Sequence, residues 1–440
     1  MNIILLSGGS GKRLWPLSNN VRAKQFLKVL RAPDGSHESM IQRMTRMIAN
    51  VYKDANIVIV TADSQVNTLQ RQVGSDIEIC VEPSRKKTFP ATALACAYLK
   101  DKKGIDEKEA VVVCPVDTFT ENEYFTMFKT LSESLEDVNL ALIGIEPTYP
   151  SEKYGYIIPK DRNDVSIVSS FKEKPDEDTA RKYIEQGALW NGGVFAFKLS
   201  YMLGKVEKYL SSSSYDYLYD NYESLSRMSF DHEVVEREDS IKVFRYSGAW
   251  KDLGTWNTLT EAMEDEASGN AKLINCENTH VLNELQLPLI AMGLKNVAVA
   301  ATPDGILVSD KHESSYLKPY VDDKRPMVEK RAWGEYEVLD YRGVEGRNAL
   351  TKHLLIFSGH HISYQKHYHR SETWTIIEGE GYVILDGKKK RVSRDDTIVI
   401  PVGVKHGIMA VKDIHIIEVQ VGDELTEEDI ERFDWDWTME

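Results

Sequence analysis

Ile3-Ile4-Leu5-Leu6-Ser7-Gly8-Gly9-Ser10-Gly11-Lys12-Arg13-Leu14-Trp15-Pro16-Leu17 joins a short aliphatic run directly to a basic, glycine-rich turn. Four aliphatic residues in succession read as a strand buried on both faces. Glycines straight after such a strand let the backbone turn sharply and approach a ligand closely, so that amide hydrogens face phosphate oxygens. Lys12 and Arg13 supply the matching charge, and Lys24, ahead of Gln25-Phe26-Leu27, adds another cation downstream. The plain alternative is an ordinary glycine turn with two solvated bases; its position right after the first strand weighs against that. The spacing is neither a dinucleotide fingerprint nor a Walker loop.

Outward from this turn, apolar runs alternate with helical patterns. Residues 57–60, 77–81, 111–116 and 140–145 read as further buried strands, while Met40, Ile41, Met44, Met47, Ile48 and Val51 fall on one helical face. Alternating strand and helix over this first stretch predicts a mostly parallel arrangement covered on both faces, and the domain as a whole an α/β fold with a Rossmann-like mixed sheet. Residues 151–265 add mixed strand and helix, with Asp176 placed to cap a helix running towards Gln186, and read as an insertion that completes a cleft. The serines at 211–214 read as a loop. A short strand-rich stretch follows over 272–322. From about 335, closely spaced strands with turns at Asp386-Gly387 and Pro401-Val402-Gly403 predict a small all-β domain. The expected domains are therefore 1–265, a connecting β-rich segment 266–328, and 329–440.

With 440 residues, 42% of them hydrophobic, the chain has the length of two or three domains. A net charge of −15 gives no overall attraction to nucleic acid or an anionic membrane, so anionic ligands must be captured by local basic sites. Cys80, Cys96 and Cys114 lie in apolar runs where a buried thiol is expected, and Cys276 stands apart, a usage that fits a reducing compartment. The opening residues lack a secretory pattern, and no run reaches the roughly 20 apolar residues of a membrane span. The expectation is a cytoplasmic protein; a homo-oligomer is left open.

Gly8-Gly9-Ser10-Gly11-Lys12-Arg13-Leu14-Trp15-Pro16-Leu17-Ser18 with Lys24-Gln25-Phe26 resembles the signature of mannose-1-phosphate guanylyltransferases, members of the sugar nucleotidyltransferase family. Glu82-Pro83 with Arg85, Tyr154-Gly155-Tyr156-Ile157, Phe171 with Glu173-Lys174-Pro175, Trp190-Asn191-Gly192-Gly193, Phe230-Asp231 and Asp252-Leu253-Gly254-Thr255-Trp256 resemble further family motifs, in family order. The resemblance implies transfer of a nucleotidyl group from GTP to mannose-1-phosphate, giving GDP-mannose and pyrophosphate. It implies Mg2+ on Asp117 and Asp252, with Gly8, Gly9, Gly11, Lys12, Glu82 and Arg85 at the nucleotide. Arg13 and Lys24 would face the triphosphate, Lys174 the sugar phosphate, and Gly155, Glu173 and Asn191 the sugar. Two anionic reactants must be brought together, so magnesium and basic clamps suit the chemistry. The chain departs from the family at Arg85-Lys86-Lys87-Thr88-Phe89-Pro90-Ala91 and Val116-Asp117-Thr118, where Lys86, Lys87 and Phe89 are expected to reshape nucleotide contacts. Another base or sugar stays open.

Seven of the eleven histidines lie between His353 and His415, more than a strand-rich domain needs for packing. Gly359, Gln365, His367, Glu372 and Gly379 stand at the spacing of a first cupin motif, with glutamine in place of its first histidine; Pro401, Gly403 and His406 match the second. On alternating strand positions, Gln365 and His367 point into the barrel, with His406 opposite and His369 as a reserve ligand. Two imidazoles, a carboxylate and an amide oxygen suit Zn2+ or another divalent first-row metal. Gln365 through Glu372 resembles the signature of the mannose-6-phosphate isomerase half of bifunctional enzymes, as do Arg331, Trp333-Gly334 and Tyr336. Arg370 would then bind phosphate or stabilise an enediolate. Gly407 in place of arginine, Ala332 in place of proline, and the tail Phe433-Asp434-Trp435-Asp436-Trp437 depart from that half. Three readings stand: a transferase with a structural cupin, a bifunctional transferase and isomerase, and a non-catalytic sugar-nucleotide sensor, against which Asp117, Asp252 and Lys174 argue.

Overall fold

A computed structural model describes residues 1–9, 11–19, 22–321, 326–344 and 346–437. Ser10 of the glycine-rich turn lies outside the described residues. The chain forms two compact units, Met1–Glu266 with Ser309–Val321, and Ala267–Val308 with Asp322–Glu440. The stretch 266–328 is thus divided between them.

The first unit is built on a nine-stranded sheet. Glu78–Glu82, Asn56–Ala62, Asn2–Leu6 and Ala110–Pro115 lie side by side and parallel, as βαβ crossovers require. The aliphatic run alternates between two cores: Ile3 and Leu5 pack with Met44 and Ile48 on one face, Ile4 with Phe89 and Leu94 on the other. Each such fully buried side chain contributes about 1.5–3 kcal/mol. The helix Met40–Val51 buries Met40, Ile41, Met44, Met47 and Ile48, and starts at a capping box between Ser39 and Gln42. Asp176 caps Glu177–Glu185 by accepting from Thr179 N at 2.8 Å. Cys80, Cys96 and Cys114 are buried free thiols.

The sheet is mixed, as expected for the domain as a whole. Leu189–Lys198, from the insertion, runs antiparallel between Ala110–Pro115 and Leu140–Ile145. Beyond it, Val165–Lys172 pairs antiparallel with both Ile241–Tyr246 and Tyr156–Pro159. Apolar periodicity reports burial but not strand direction, so which strands run antiparallel has no local signal. A small ladder outside the main sheet pairs Thr118–Thr120 antiparallel with Trp250–Asp252.

In the second unit, Ala267–Gly269, His280–Asn283 and Val297–Thr302 stack in parallel, and Ala271–Ile274 pairs in parallel with Leu289–Met292. Val281, Ala291 and Val299 form their small core. The barrel that follows consists of a six-stranded and a five-stranded sheet around Trp374, Ile376, Ile408, Ile414 and Ile416, the two-sheet arrangement of a cupin. Its Glu380–Leu385 and Lys388–Ser393 hairpin turns at Asp386-Gly387, both with positive φ, 44° and 78°, as a two-residue hairpin loop demands. Among the described residues, no helix is long and apolar enough to cross a membrane.

Candidate active site and metal centre

Asp117 follows the Ala110–Pro115 strand and Asp252 ends Trp250–Asp252; the small ladder sets Asp252 opposite Thr118, and Leu253 N donates to Asp117 O at 3.0 Å. Two carboxylates far apart in sequence thus share one lysine: Lys24 Nζ lies 2.5 Å from Asp117 Oδ2 and 3.8 Å from Asp252 Oδ1. Burial works against ionising Asp117, but the charge and hydrogen bond of Lys24 win and hold its carboxyl below the usual range. Burial pushes Asp252 up, and the Asp117 charge adds to that push. Asp252 Oδ1 is a buried oxygen without a hydrogen-bond partner, while the two side chains keep 29% and 36% exposure. A carboxylate oxygen so placed, beside a second carboxylate, fits a divalent cation. Gly254 makes room for it: a Cβ there would stand 2.9 Å from Asp252 Oδ1.

Gly8 and Gly9 open onto a cavity of about 780 Å3 that Glu82, Lys87, Asp117, Glu173, Lys174 and Asp231 also line. Gly9 has φ 118°, and a Cβ on Gly8 or Gly9 would meet nothing within 4 Å, so their backbone faces open space. Gly11, with φ 64°, does different work: a Cβ there would crowd Ser18 Oγ at 2.9 Å and Lys24 Cβ at 3.0 Å. It lets the turn pack on the segment carrying Lys24. Lys12 and Arg85 line neither this cavity nor the neighbouring one, whereas Arg13 lines the neighbour with Asp252. Glu82 is buried, raised chiefly by burial, and its carboxylate accepts from Tyr222 Oη at 2.6 Å.

The insertion supplies the far wall. Gly155 lets Glu173 and Phe171 come close, since a Cβ would stand 2.6 Å from each, and Asn191 N donates to Gly155 O at 2.8 Å. Asn191 Nδ2 donates to Asp231 Oδ1 at 2.5 Å. Burial, then the Glu173 charge, raises the Asp231 carboxyl to about 6. Lys174 pairs with Glu173 and borders both cavities. Asp231, and Lys153, which lines the neighbouring cavity with Arg13 and Asp252, were not among the expected site residues. Asp231 stands in the quoted Phe230-Asp231 motif, so its signal was present; Lys153 carries none beyond preceding Tyr154-Gly155.

Of the departures at 85–91, Lys86 lines the glycine-rich cavity but sends its ammonium elsewhere, and Phe89 does not line it. The Lys86 side chain is nearly buried, and its ammonium donates to the carbonyls of Tyr222, Glu223 and Leu225 at 2.7, 2.9 and 2.5 Å. Phe89 is fully buried and meets the Tyr209 ring edge-on at 5.8 Å. They shape the cavity wall through packing rather than reaching into it.

In the barrel, His367, Glu372 and His406 converge, with ligand atoms within 4.8 Å of one another and all three residues buried. His367 Nδ1 donates to Asp429 O and His406 Nδ1 to Val404 O at 2.5 and 2.9 Å. Each Nε2 is thereby left as a lone pair aimed at Glu372, 3.2 and 3.5 Å away. His406 Nε2 is buried without a hydrogen-bond partner, which fits a divalent metal. Gln365 joins the cluster with Nε2 3.4 Å from His367 Nε2; its amide oxygen accepts from Ser363 Oγ at 2.7 Å.

Two expectations for the barrel are corrected. His369 is exposed, because the strand ends at Lys366 and its alternation does not extend to 369. Arg370 is buried and fully engaged: it donates to Glu372 Oε1 at 3.0 Å, to Thr426 O at 2.7 Å, and towards His367 Nε2 at 3.2 Å. Its guanidinium acts as a counter-charge inside the cluster, not as a free phosphate ligand. Glu418, bridged to Glu372 through Trp374 and Gln420, is raised to about 8 by burial and the Glu372 charge. The departing features at 407 and the tail are coupled. A side chain at Gly407 would meet the Trp437 ring at 2.9 Å, and Trp437 stacks on His361 at 4.3 Å.

Residues 2–269 match the nucleotidyl transferase family, and residues 323–435 match the C-terminal domain of mannose-6-phosphate isomerase. A mannose-1-phosphate guanylyltransferase of Salmonella montevideo is 30% identical, over 98% of both chains. The xanthan biosynthesis protein XanB of Xanthomonas campestris is 29% identical over 98% of this chain and 97% of its own. A crystal structure described as mannose-1-phosphate geranyltransferase from Thermus thermophilus aligns with a TM-score of 0.62 and 25% identity, over 72% of this chain and 97% of that one. The chain belongs to the nucleotidyl transferase family, among the mannose-1-phosphate guanylyltransferases, with a C-terminal domain of the mannose-6-phosphate isomerase type.

Proposed function

We propose that the chain joins mannose-1-phosphate to GTP, giving GDP-mannose and pyrophosphate, in the domain over residues 1–265. The observation that carries the reading is the Asp117–Lys24–Asp252 cluster at the edge of the glycine-lined cavity. The Gly8 and Gly9 backbone receives the nucleotide's phosphates, while Arg13 and Lys24 balance the triphosphate. Lys174, between the two cavities, orients the sugar phosphate for attack on the α-phosphorus. Glu173, Asn191 and Asp231 face the sugar and read its hydroxyls. Asp117 and Asp252 would hold Mg2+, which supplies charge neutralisation at the reacting phosphate. The test is pyrophosphate release with each nucleoside triphosphate against a panel of sugar-1-phosphates. GTP with mannose-1-phosphate should turn over fastest, and no turnover with any pair would favour the sensor reading.

A second activity has its own support. The buried His367–Glu372–His406 cluster with Gln365 would hold Zn2+ or another divalent metal in the domain over residues 329–440. Such a centre suits exchange of mannose-6-phosphate and fructose-6-phosphate, in which a base moves a proton between adjacent carbons. Fructose-6-phosphate formation, lost in His406→Ala, tests it; no product from the intact protein leaves the barrel a structural role. The substrates are small phosphorylated molecules rather than nucleic acid, and the compartment is the cytoplasm.

A further inference from the structure

The cavity of about 430 Å3 on the Asp252 side of the cluster gathers three cations, Arg13, Lys153 and Lys174. Lys174 has Glu173 as its partner. The Lys153 ammonium makes no hydrogen bond or ion pair among the described residues. Burial first, and then the nearby Arg13 guanidinium, hold it below its ordinary range, while Asp252 pulls the other way. Two carboxylates, Glu152 and Asp252, line the same cavity, and Glu152 already accepts from Glu177 N at 3.2 Å; the three cations still outnumber them, and a bound anion offsets the excess.

The turn that carries Lys153 is firmly set. Lys153 N donates to Ser151 Oγ at 3.1 Å, Ser151 N donates to Tyr156 Oη at 2.8 Å, and Trp190 Nε1 donates to the same oxygen at 3.0 Å. A pinned turn holds the stem of a long side chain at the cavity rim.

The reaction's geometry says which anion. In phosphoryl-type transfer the attacking and leaving oxygens lie on opposite sides of the phosphorus. Asp117 lines the glycine-rich cavity and Asp252 the other, with Lys24 between them and Lys174 bordering both. Nucleoside and sugar belong to the larger, glycine-lined side. We infer that Lys153, together with Arg13, grips the departing pyrophosphate in the second cavity. The sugar-phosphate oxygen forms its bond to the α-phosphorus as the bond from that phosphorus to the bridging oxygen breaks. The electron pair stays on the pyrophosphate, which leaves with added negative charge and needs no proton. The inference rests on the transferase reading and adds a contact to it.

The test runs the reaction backwards, from GDP-mannose and pyrophosphate, with the intact protein, Lys153→Met and Lys153→Arg. Lys153 is exposed, so both variants are expected to fold. Lys153→Met should raise KM for pyrophosphate about tenfold while KM for GDP-mannose stays within about twofold, and Lys153→Arg should recover most of the loss. Calorimetric binding of magnesium pyrophosphate should weaken in parallel. A pyrophosphate KM within twofold of the parent, or an equal rise in both KM values, overturns the inference while leaving the transferase intact. Absence of turnover in either direction by the unsubstituted protein overturns both.

Discussion

Two acidic clusters in this chain hold a built-in cation, and they hold it differently. In the first unit Lys24 reaches across Asp117 and Asp252, whose side chains are 29% and 36% exposed. In the barrel Arg370 is locked on Glu372 at 3.0 Å, with side chains 5% and 2% exposed. A lysine is a mobile point charge that can shift its ammonium to a phosphate; a buried guanidinium in a hydrogen-bonded fork cannot leave without stranding a desolvated carboxylate. On the proposed reading the open cluster would exchange its cation for magnesium and polyphosphate during turnover, whereas the closed one holds its charge in place. A metal held in the barrel as proposed would therefore compete with Arg370 for Glu372 and His367.

The largest effect expected is on the open cluster. Asp252→Asn should lower kcat for pyrophosphate release by about 10²–10³-fold with an unchanged circular dichroism spectrum; a fall below tenfold would break the contrast. His406→Ala should weaken divalent-metal affinity by at least about 10–100-fold in a metal titration, with pyrophosphate release within twofold of the parent. A parallel loss of transfer would show that the two centres are not independent.

Arg370→Ala sharpens the comparison. Freed of its competing charge, the barrel should bind divalent metal about tenfold more tightly, read from the emission of Trp374, whose indole donates to Glu372 at 3.2 Å, against a Trp374→Phe control. Without metal the variant should lose about 3 kcal/mol of stability, and saturating metal should restore it. Weaker metal binding would make Arg370 a support rather than a rival. Gly254→Ala, which presses on the Asp252 carboxylate, should cost kcat a few-fold without lowering the melting temperature.

The smallest effect concerns pH. Asp231 is raised to about 6 in the folded chain, above the roughly 3.9 of an unfolded aspartate. The folded state therefore binds its proton more tightly, and the stability this contributes is complete below about pH 4 and lost as pH rises through about 6. Asp231→Asn removes that component, so urea titrations between pH 4 and 7 should show a smaller decline than the parent; an identical pH dependence would mean that Asp231 ionises normally.

Much of this was legible along the chain because its causes are local. The aliphatic run before Gly8, the helical face of Met40 to Ile48 and the cap at Asp176 depend on neighbours a few residues away, so periodicity and residue type suffice. The barrel ligands His367 and Glu372 lie close in sequence, and their spacing carries the signal. His369 failed because alternation holds only while the strand lasts. The antiparallel direction of Leu189–Lys198 was not legible, because burial patterns carry no direction.

Sequence alone pointed to the glycine-rich turn after the first strand, the buried faces and the candidate ligand side chains, since each follows from side-chain chemistry at short separation. Only the tertiary structure decided that Asp117 and Asp252 meet on one lysine, which rests on a ladder between distant strands. It alone turned the Lys86 ammonium onto the carbonyls of Tyr222, Glu223 and Leu225, and the Arg370 guanidinium onto Glu372. Long charged side chains go wherever the fold has gathered unsatisfied oxygen, and where that oxygen lies is a property of chain crossings, which no local pattern records.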